Sequence, residues 1–265
     1  MSGYTHGHHE SVLRSHLSRT VENSAAYLAE RLEAGMTMLD VGCGPGNLTV
    51  DLARRIAPGR VIGIDNEPEI IEIAREMTPD DVGNVEFRVG DVYALAFDDD
   101  VFDVVHAHQV LQHLADPVGA LREMRRVARP GGVVAVRDAD FASMEWHPHD
   151  DRFEQWRELY RAVATGNGGE PNAGQHLEEW AHDAGLDQVA TSTSAWWFSS
   201  TDERSWWGSL WADRIRESAL AEQAIERGLA SRSELDDLAQ AWLDWADAPD
   251  GWYTVAHGEI IAVVP

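Results

Sequence analysis

Three glycines directly follow a short apolar run, in the segment Met38-Leu39-Asp40-Val41-Gly42-Cys43-Gly44-Pro45-Gly46. Glycine lets a backbone turn sharply and approach a ligand where a Cβ atom would collide. A dinucleotide site needs a third glycine at the position of Asn47, and Pro45 removes one N–H that could bind a phosphate. The segment therefore indicates a binding loop that departs from the dinucleotide pattern, or simply a tight turn between a strand and a helix.

Two acidic residues follow the next two apolar runs. Asp65 ends the run Val61-Ile62-Gly63-Ile64, nineteen residues after Gly46, and a carboxylate there can accept hydrogen bonds from both hydroxyls of a ribose. Asp91 follows a third run and is placed to accept from the amino group of an adenine. Either residue alone is more often a turn or cap residue than a ligand of a nucleoside. Three such features at the ends of successive strands predict a nucleoside site.

The elements that must position these residues alternate between strands and helices. Apolar runs predict buried parallel strands at 37–41, 60–64, 85–89, 102–107 and 132–137, separated by helices at 47–56, 68–77 and 117–128. One helix is predicted before the first strand, at 11–33. The second half predicts helices at 150–165, 174–184, 202–226 and 233–246, and strands at 188–198 and 252–264. The alternation predicts a doubly wound α/β sheet whose closing strands form an antiparallel edge.

Residues 36–140 resemble the class I S-adenosylmethionine-dependent methyltransferases, in the small-molecule branch that includes ubiquinone- and menaquinone-biosynthesis enzymes (types 11 and 25). The resemblance is carried, in the expected order, by Leu39–Gly46, Asp65, Gly90-Asp91, Phe102–Val105, Leu111–Leu114 and Leu121–Gly132. It implies a Rossmann-like sheet of seven strands in the order 3-2-1-4-5-7-6, with the last strand antiparallel. It also implies three segments: an N-terminal helical lid (1–35), a cofactor-binding core (36–140), and Trp-rich helical cap insertions with the closing strands (141–265).

The resemblance implies that the cofactor is S-adenosyl-L-methionine and that the glycine loop receives its methionine portion. Asp40 would support this loop, and His106 and Ala107 would lie near the sulfonium and the methyl group. The loop residues that would admit the methionine are Gly42, Gly44 and Gly46.

The same resemblance implies how the adenosine is held. Asp65 would bind the ribose, with Asn66 beside it near the adenine. Asp91 and Val92 would contact the adenine ring.

A base is the remaining chemical requirement, because an oxygen or nitrogen acceptor loses a proton when it is methylated. Histidine is the natural base near neutral pH, and His113 stands in the loop after the fourth strand. We predict His113 as the base, with Asp138 or Asp140 at the end of the fifth strand holding its tautomer. The alternatives are that His113 only caps a helix or fills the core, and that transfer works by proximity alone.

The N-terminal run Tyr4-Thr5-His6-Gly7-His8-His9-Glu10 admits two interpretations. Its histidines could bind a divalent ion, or the run could lead into a helical flap that folds over the cofactor, as in similar methyltransferases. We predict a lid and no metal site. Arg offers a bidentate fork to a carboxylate. The candidates for contacting the methionine carboxylate or the acceptor are Tyr4, His9, Arg14 and Arg19.

All eleven Trp residues lie between Trp146 and Trp252. Packing of helices against the sheet explains many of them, and we expect it for at least half. A cap over the strand ends must nonetheless recognise something, and ligand pockets are mostly apolar and aromatic-lined. We therefore predict a flat or hydrophobic acceptor between cap and sheet, with Arg137 and Arg152 as candidates to steer an anionic group on it.

Composition excludes several classes of function. The 265 residues suffice for one large domain, and 46 acidic against 21 basic residues give a formal charge of -25, which disfavours nucleic acid and anionic membranes. The chain contains no Lys, so Schiff-base and P-loop lysine chemistry are impossible. A single Cys rules out an intramolecular disulfide, and no run approaches about 18 apolar residues. We expect a cytoplasmic monomer or homodimer.

Taken together, these features predict a methyltransferase that acts on a small aromatic or apolar metabolite, with oxygen as the acceptor atom and nitrogen or carbon as alternatives. Two other functions stay open. A cofactor-binding or sensing protein would keep the nucleoside pocket but never release demethylated cofactor. An NAD-dependent oxidoreductase would need the third glycine that Asn47 replaces.

Overall fold

A computed structural model describes residues 10–265 and confirms an α/β fold built on one mixed sheet. The strands are β1 Thr37–Val41, β2 Arg60–Asp65, β3 Val85–Val89, β4 Phe102–His108, β5 Ala128–Ala139, β6 Trp146–His147, β7 Gln188–Phe198 and β8 Trp252–Val263. Their order is β3-β2-β1-β4-β5-β8-β6, and β7 also pairs with β8. Neighbours from β3 to β5 are parallel, whereas β8 is antiparallel to β5, β6 and β7.

The order 3-2-1-4-5-7-6 is confirmed for the seven long strands, with the last one antiparallel. The predicted number of strands is wrong by one. Trp146 and His147 form the additional strand, because they pair with Tyr253 and Trp252 at the start of β8. Trp146 also stacks on Tyr253, with ring centroids 6.1 Å apart, so the apolar contact supports the short ladder.

Ten helices lie within the described residues. They are α1 Glu10–Leu17, α2 Val21–Ser24, α3 Asn47–Ile56, α4 Pro68–Met77, α5 Pro117–Val127, α6 Asp151–Gly166, α7 Leu177–Asp183, α8 Thr201–Glu217, α9 Ala219–Glu226 and α10 Arg232–Asp247. The helices predicted at 11–33 and 202–226 are each interrupted, because a side chain inside the stretch caps a new helix. Thr20 forms a capping box with Asn23, and Ser218 accepts from the Leu220 N–H.

Three apolar clusters hold these layers together. One lies under α3, α4 and the N-terminal segment on one face of the sheet. The second lies under α5 and α7 on the other face. The third fills the space between α6, α8, α9 and α10, which form a cap. The carboxyl ends of β1, β2, β4 and β5 meet at one edge of the sheet, which is where α/β sheets bind their ligands.

Candidate functional site

The glycine loop forms one wall of a cavity at this edge. Gly42 and Gly44 line the cavity with positive φ angles of 66° and 54°. A Cβ on Gly42 would lie 2.4 Å from Val110 Cγ2, whereas a Cβ on Gly44 would meet only His16 Nδ1, at 3.5 Å. Gly46 does not line the cavity, because it packs against the ring of Phe87. The loop thus leaves room for a ligand at Gly44 and keeps its shape through Gly42 and Gly46.

The acidic residues at the ends of β2 and β3 line the same cavity. Asp65 Oδ2 accepts from the Gly44 N–H at 3.1 Å, and its Oδ1 accepts from the Glu67 N–H at 3.2 Å. Asp91 Oδ1 accepts from the Tyr93 N–H at 2.9 Å. The structure therefore brings together the glycine loop and four predicted positions, which are Asp65, Asn66, Asp91 and Val92.

Asp40 and His106 form a buried pair beneath the loop. His106 Nδ1 lies 2.7 Å from Asp40 Oδ1, and Thr49 Oγ1 donates to Asp40 Oδ2 at 2.5 Å. Asp40 thereby connects β1, β4 and α3, which fits its predicted support of the loop. Neither His106 nor Ala107 lines the cavity; the residue of β4 that does is His108. Its ring shares a face of the strand with His106, since side chains two residues apart point the same way.

The ring of His113 lines the cavity and is bonded to its neighbour Gln112. Gln112 Oε1 accepts from the Ala139 N–H at 3.1 Å, so its Nε2 amide faces His113 Nε2, also at 3.1 Å. An amide nitrogen can only donate. His113 Nε2 is therefore the acceptor in this pair, and the neutral ring carries its proton on Nδ1.

Electrostatics keep this imidazole neutral. Burial lowers the pKa of His113 to about 3, and the positive charges of Arg19 and Arg214 add to the effect. Burial likewise lowers the pKa of His108 and His257 well below the usual range. These rings are neutral at physiological pH.

The two predicted partners of His113 have other hydrogen bonds. Asp138 Oδ1 accepts from the Gln112 N–H at 3.1 Å, and burial raises the pKa of Asp138 to about 7. Asp140 caps the 3₁₀ turn Phe141–Ser143 and accepts from Gln175 Nε2 at 2.9 Å. In the described contacts, Asp138 accepts from the backbone, and Asp140 accepts from the backbone and from Gln175. The contact described for the His113 ring is with Gln112.

The N-terminal segment reaches the cavity through one of its predicted residues. Arg19 lines the cavity and donates to Gln109 Oε1 at 2.6 Å, whereas Arg14 pairs with Asp213 of α8. Tyr4 and His9 lie outside the described residues.

The far wall of the cavity is aromatic. The enclosed volume is ≈ 290 Å³. Trp156 and Trp211 meet edge to face there, with ring centroids 4.7 Å apart. Aromatic residues that line this end are Phe141, Trp156, Tyr160, Trp196, Trp207, Trp211 and Tyr253. The other seven indoles do not line the cavity, and Trp242 and Trp245 lie inside the cap.

The residues of the site that were not assigned to it from the sequence include His108, Gln109, Gln112 and Arg214. Gln109 has a φ of 54°, an uncommon conformation for a residue with a side chain. Its Nε2 lies 2.8 Å from His257 Nε2, so the β4 loop carries two Gln–His pairs. Strained residues are frequent at functional sites, but the strain is invisible in a sequence.

The two arginines proposed to steer an anion lie elsewhere. Arg137 forms a buried ion pair with Glu259, with Nε and Oε1 3.1 Å apart. Arg152 pairs with Asp150 and Asp244. Neither lines the cavity. Arg214, on the cap helix α8, does.

Within residues 10–265, no helix is long and apolar enough to cross a bilayer. The same residues contain no group of three His, Cys, Asp or Glu side chains placed to hold a metal ion. The histidine run before Glu10 lies outside this range.

Comparison with known proteins identifies a family model and relatives that are described as methyltransferases. A family model described as a methyltransferase domain matches residues 32–188. An uncharacterized methyltransferase of Schizosaccharomyces pombe is 32% identical over 267 residues, which cover 97% of this chain and 95% of the relative. The 2-methyl-6-phytyl-1,4-hydroquinone methyltransferase of Synechocystis is 30% identical over 223 residues, 79% of this chain and 64% of the relative.

Solved structures share the fold. Phosphoethanolamine N-methyltransferase 2 of Haemonchus contortus, in complex with phosphomonomethylethanolamine and S-adenosylhomocysteine, superposes with a TM-score of 0.57 at 20% identity. The superposition covers 91% of this chain and 52% of that chain.

Proposed function

This chain belongs to the methyltransferase-domain family, and from that premise we propose that it moves a methyl group from S-adenosyl-L-methionine to a small, flat aromatic acceptor, with oxygen as the acceptor atom. One observation carries the proposal: a single cavity runs from the glycine loop, Asp65 and Asp91 to a wall of indole and phenol rings. A cofactor at the loop and an acceptor against the rings would share this space, as an in-line transfer requires.

The loop end fits this cofactor. Gly44 leaves space where a side chain would stand, Asp65 is half-buried at the end of β2, and Asp91 follows β3. Carboxylates at these positions suit ribose hydroxyls and an adenine amino group. The Haemonchus contortus enzyme, which shares the fold, was solved with S-adenosylhomocysteine.

The aromatic end supports the choice of acceptor. Seven aromatic rings bound it, and flat apolar ligands gain most from such walls. The Synechocystis relative is named for a hydroquinone, which is an aromatic ring that carries two hydroxyl groups.

The three segments of the chain have different roles in this proposal. We assign residues 1–35 to a lid that reaches the cavity through Arg19, and residues 36–140 to cofactor binding. Residues 141–265 provide the aromatic walls and recognise the acceptor.

The bound cofactor supplies an electrophilic methyl carbon, so the protein's task is alignment and exclusion of water. The indoles exclude water from the acceptor. The ring of His113 lines the cavity, where its Nε2 accepts from Gln112, and it bounds the space for the acceptor. A pKa of about 3 makes this ring a weak base, so the geometry favours proximity and orientation over proton removal by His113.

The test is acceptor-dependent release of S-adenosylhomocysteine from full-length protein, assayed over a panel of hydroxylated naphthalenes and quinols. We expect Trp207→Leu to abolish turnover while S-adenosylhomocysteine still binds in calorimetry. The matched control is Trp197→Leu, since Trp197 is exposed and does not line the cavity. Tight cofactor binding without release on any acceptor would instead favour the cofactor-sensing alternative.

A further inference from the structure

Strand β7 forms one edge of the sheet. It is eleven residues long, and β8 is the only strand that pairs with it within residues 10–265. Its middle residues, 190–195, are all exposed. A strand at the edge of a sheet presents backbone N–H and C=O groups that can pair with a strand of another chain.

The hydrogen bonds of the neighbouring strands show which residues of β7 direct these groups outward. In an antiparallel pair, opposite residues alternate between hydrogen-bonded and non-bonded pairs. The Asp140 N–H donates to the Ala256 carbonyl at 2.9 Å, so the even-numbered residues of β8 bond toward β5. The odd-numbered residues of β8 therefore bond toward β7, where Glu259 lies opposite Ser192. The outward groups belong to the odd-numbered residues of β7, which are Val189, Thr191, Thr193, Ala195 and Trp197.

This edge lacks the features that keep native edge strands from pairing, which are charged side chains, proline, bulges and short length. The register between β7 and β8 continues without a shift from Gln188 to Phe198, so β7 has no bulge. Residues 188–201 contain no Asp, Glu, Arg or Pro, and these fourteen residues are the longest stretch of the chain without a charged side chain. The edge is therefore open to another strand.

Charge indicates which partner suits the edge. Two copies of a chain with a formal charge of -25 repel each other over most of their surfaces. The edge of β7 is neutral, so two copies can approach there without placing like charges opposite each other. An antiparallel edge also matches itself across a twofold axis, because each copy offers the same donors and acceptors.

We propose that two copies of this chain pair through the outer edge of β7, antiparallel and related by a twofold axis at Ser192. In this register, Thr191 of one copy lies opposite Thr193 of the other, and Val189 lies opposite Ala195. All four residues direct their backbone groups outward, so both pairs are hydrogen-bonded. The two Ser192 residues form the non-bonded pair at the axis. The pairing joins the two sheets and does not depend on which acceptor is methylated.

Sedimentation velocity of the full-length protein tests the pairing. We expect a species of twice the 29.4 kDa mass of one chain, whose share grows with protein concentration. Because salt screens the repulsion between the two acidic copies, the dimer should become tighter between about 50 mM and about 500 mM NaCl. A monomer at every salt concentration would overturn the proposal. A dimer that weakens with salt would overturn it as well, since ion pairs would then hold the two copies together.

A charge placed on the edge should separate the copies. Thr193→Lys puts a side chain on β7 of the kind that protects native edges, so the dissociation constant of the dimer should rise at least about tenfold. The control is Thr165→Lys, because Thr165 of α6 is also exposed and the change in net charge is the same. Both variants make the chain less negative, so general repulsion cannot explain a loss of the dimer. Equal effects of the two variants would place the interface elsewhere and overturn the proposal.

A cysteine at the axis tests the register. Opposite Cα atoms in a non-bonded antiparallel pair lie about 4.5 Å apart, within the range that a disulfide spans. Ser192→Cys should therefore form a disulfide between two copies under mild oxidation, seen on a non-reducing gel. The natural Cys43 is buried, and Thr165→Cys is the control that should stay uncrosslinked. A dimer in which Ser192→Cys forms no disulfide would overturn the proposed pairing.

Discussion

The two ends of the cavity are lined by different kinds of chemical groups. At the end proposed for the cofactor (the cofactor end), backbone groups and short acidic side chains such as Asp65 and Asp91 stand at the ends of consecutive strands. At the end proposed for the acceptor (the acceptor end), large rings such as Trp156 and Trp211 come from helices of the cap. The cofactor end can recognise a ligand through hydrogen bonds, and the acceptor end can recognise one through shape and apolar surface.

This difference indicates which end of the cavity determines specificity for the cofactor and which for the acceptor. Strand-end loops are fixed by the sheet, so they suit a ligand that is the same throughout a family. Helices of a cap change their side chains without disturbing the sheet, so they suit an acceptor that varies. Substitutions at one end should therefore leave the other end working.

Trp156→Ala should give the largest effect. Trp156 is 1% exposed and touches the rings of Phe153, Trp211 and Trp242. Removing a buried indole should lower the free energy of unfolding by about 3–5 kcal/mol. Urea denaturation measures it, with Trp197→Ala as the control, since Trp197 is 54% exposed and should cost about 1 kcal/mol or less.

The folded fraction of Trp156→Ala should still bind S-adenosylhomocysteine with unchanged affinity. A loss of cofactor affinity comparable to the loss of stability would mean that the two ends are coupled through the cap, contrary to the comparison.

The cofactor end could be predicted from the sequence because its signals are local. Gly42, Gly44, Asp65 and Asp91 each follow an apolar run, and parallel strands must bring their ends together. The same reasoning placed His106 near the sulfonium, but a buried carboxylate, Asp40, holds that ring beneath the loop.

The acceptor end could not be predicted because its contacts join distant parts of the chain. Arg214 meets Ser15 across 199 residues, and no spacing rule connects them. Helical spacing identified an aromatic face on α8, but whether an indole such as Trp207 or Trp242 faces the cavity depends on how the helices pack. The predicted His113–Asp pairing relied on adjacent strand ends, and no spacing rule indicates the contact that the structure gives between the His113 ring and the Gln112 amide.

Asp65→Ala probes the cofactor end alone. It removes the predicted ribose ligand and the acceptor for the Gly44 N–H, so S-adenosylmethionine should bind more weakly by about 1.5–3 kcal/mol. Calorimetry measures the affinity for S-adenosylmethionine. Unchanged cofactor affinity would remove the ribose role from Asp65.

Acid should destabilise the acceptor side through its buried imidazoles. Burial lowers the pKa of His108, His113 and His257 in the folded chain. Below about pH 6.5, these residues therefore bind protons in the unfolded chain but not in the folded chain. Stability should therefore fall as the pH drops from 6.5. Asp138 opposes this trend: its folded pKa of about 7 exceeds the unfolded value of 3.8, so between these values the folded chain gains a proton.

Asp138→Asn removes this opposing proton and keeps the acceptor for the Gln112 N–H. Between pH 6.5 and 5, its stability should fall more steeply than that of the wild type, by about 1.4 kcal/mol per pH unit. Urea denaturation at several pH values measures the slope, with the exposed Asp80→Asn as the control. Parallel slopes for Asp138→Asn and the wild type would mean that Asp138 is ionised in the folded protein.

Gln112→Glu should have the most specific effect on the acceptor end. A carboxylate accepts where the amide donates, so His113 should move its proton from Nδ1 to Nε2, and its pKa should rise because an anion now stabilises the imidazolium. Nitrogen-15 NMR of the histidine rings reports the tautomer directly. The wild type should show a protonated Nδ1, whereas a protonated Nε2 would contradict the assignment of His113 Nε2 as the acceptor from Gln112. Cofactor affinity should stay constant, because Gln112 lies at the acceptor end, whereas Asp65, the predicted ribose ligand, stands at the end of another strand.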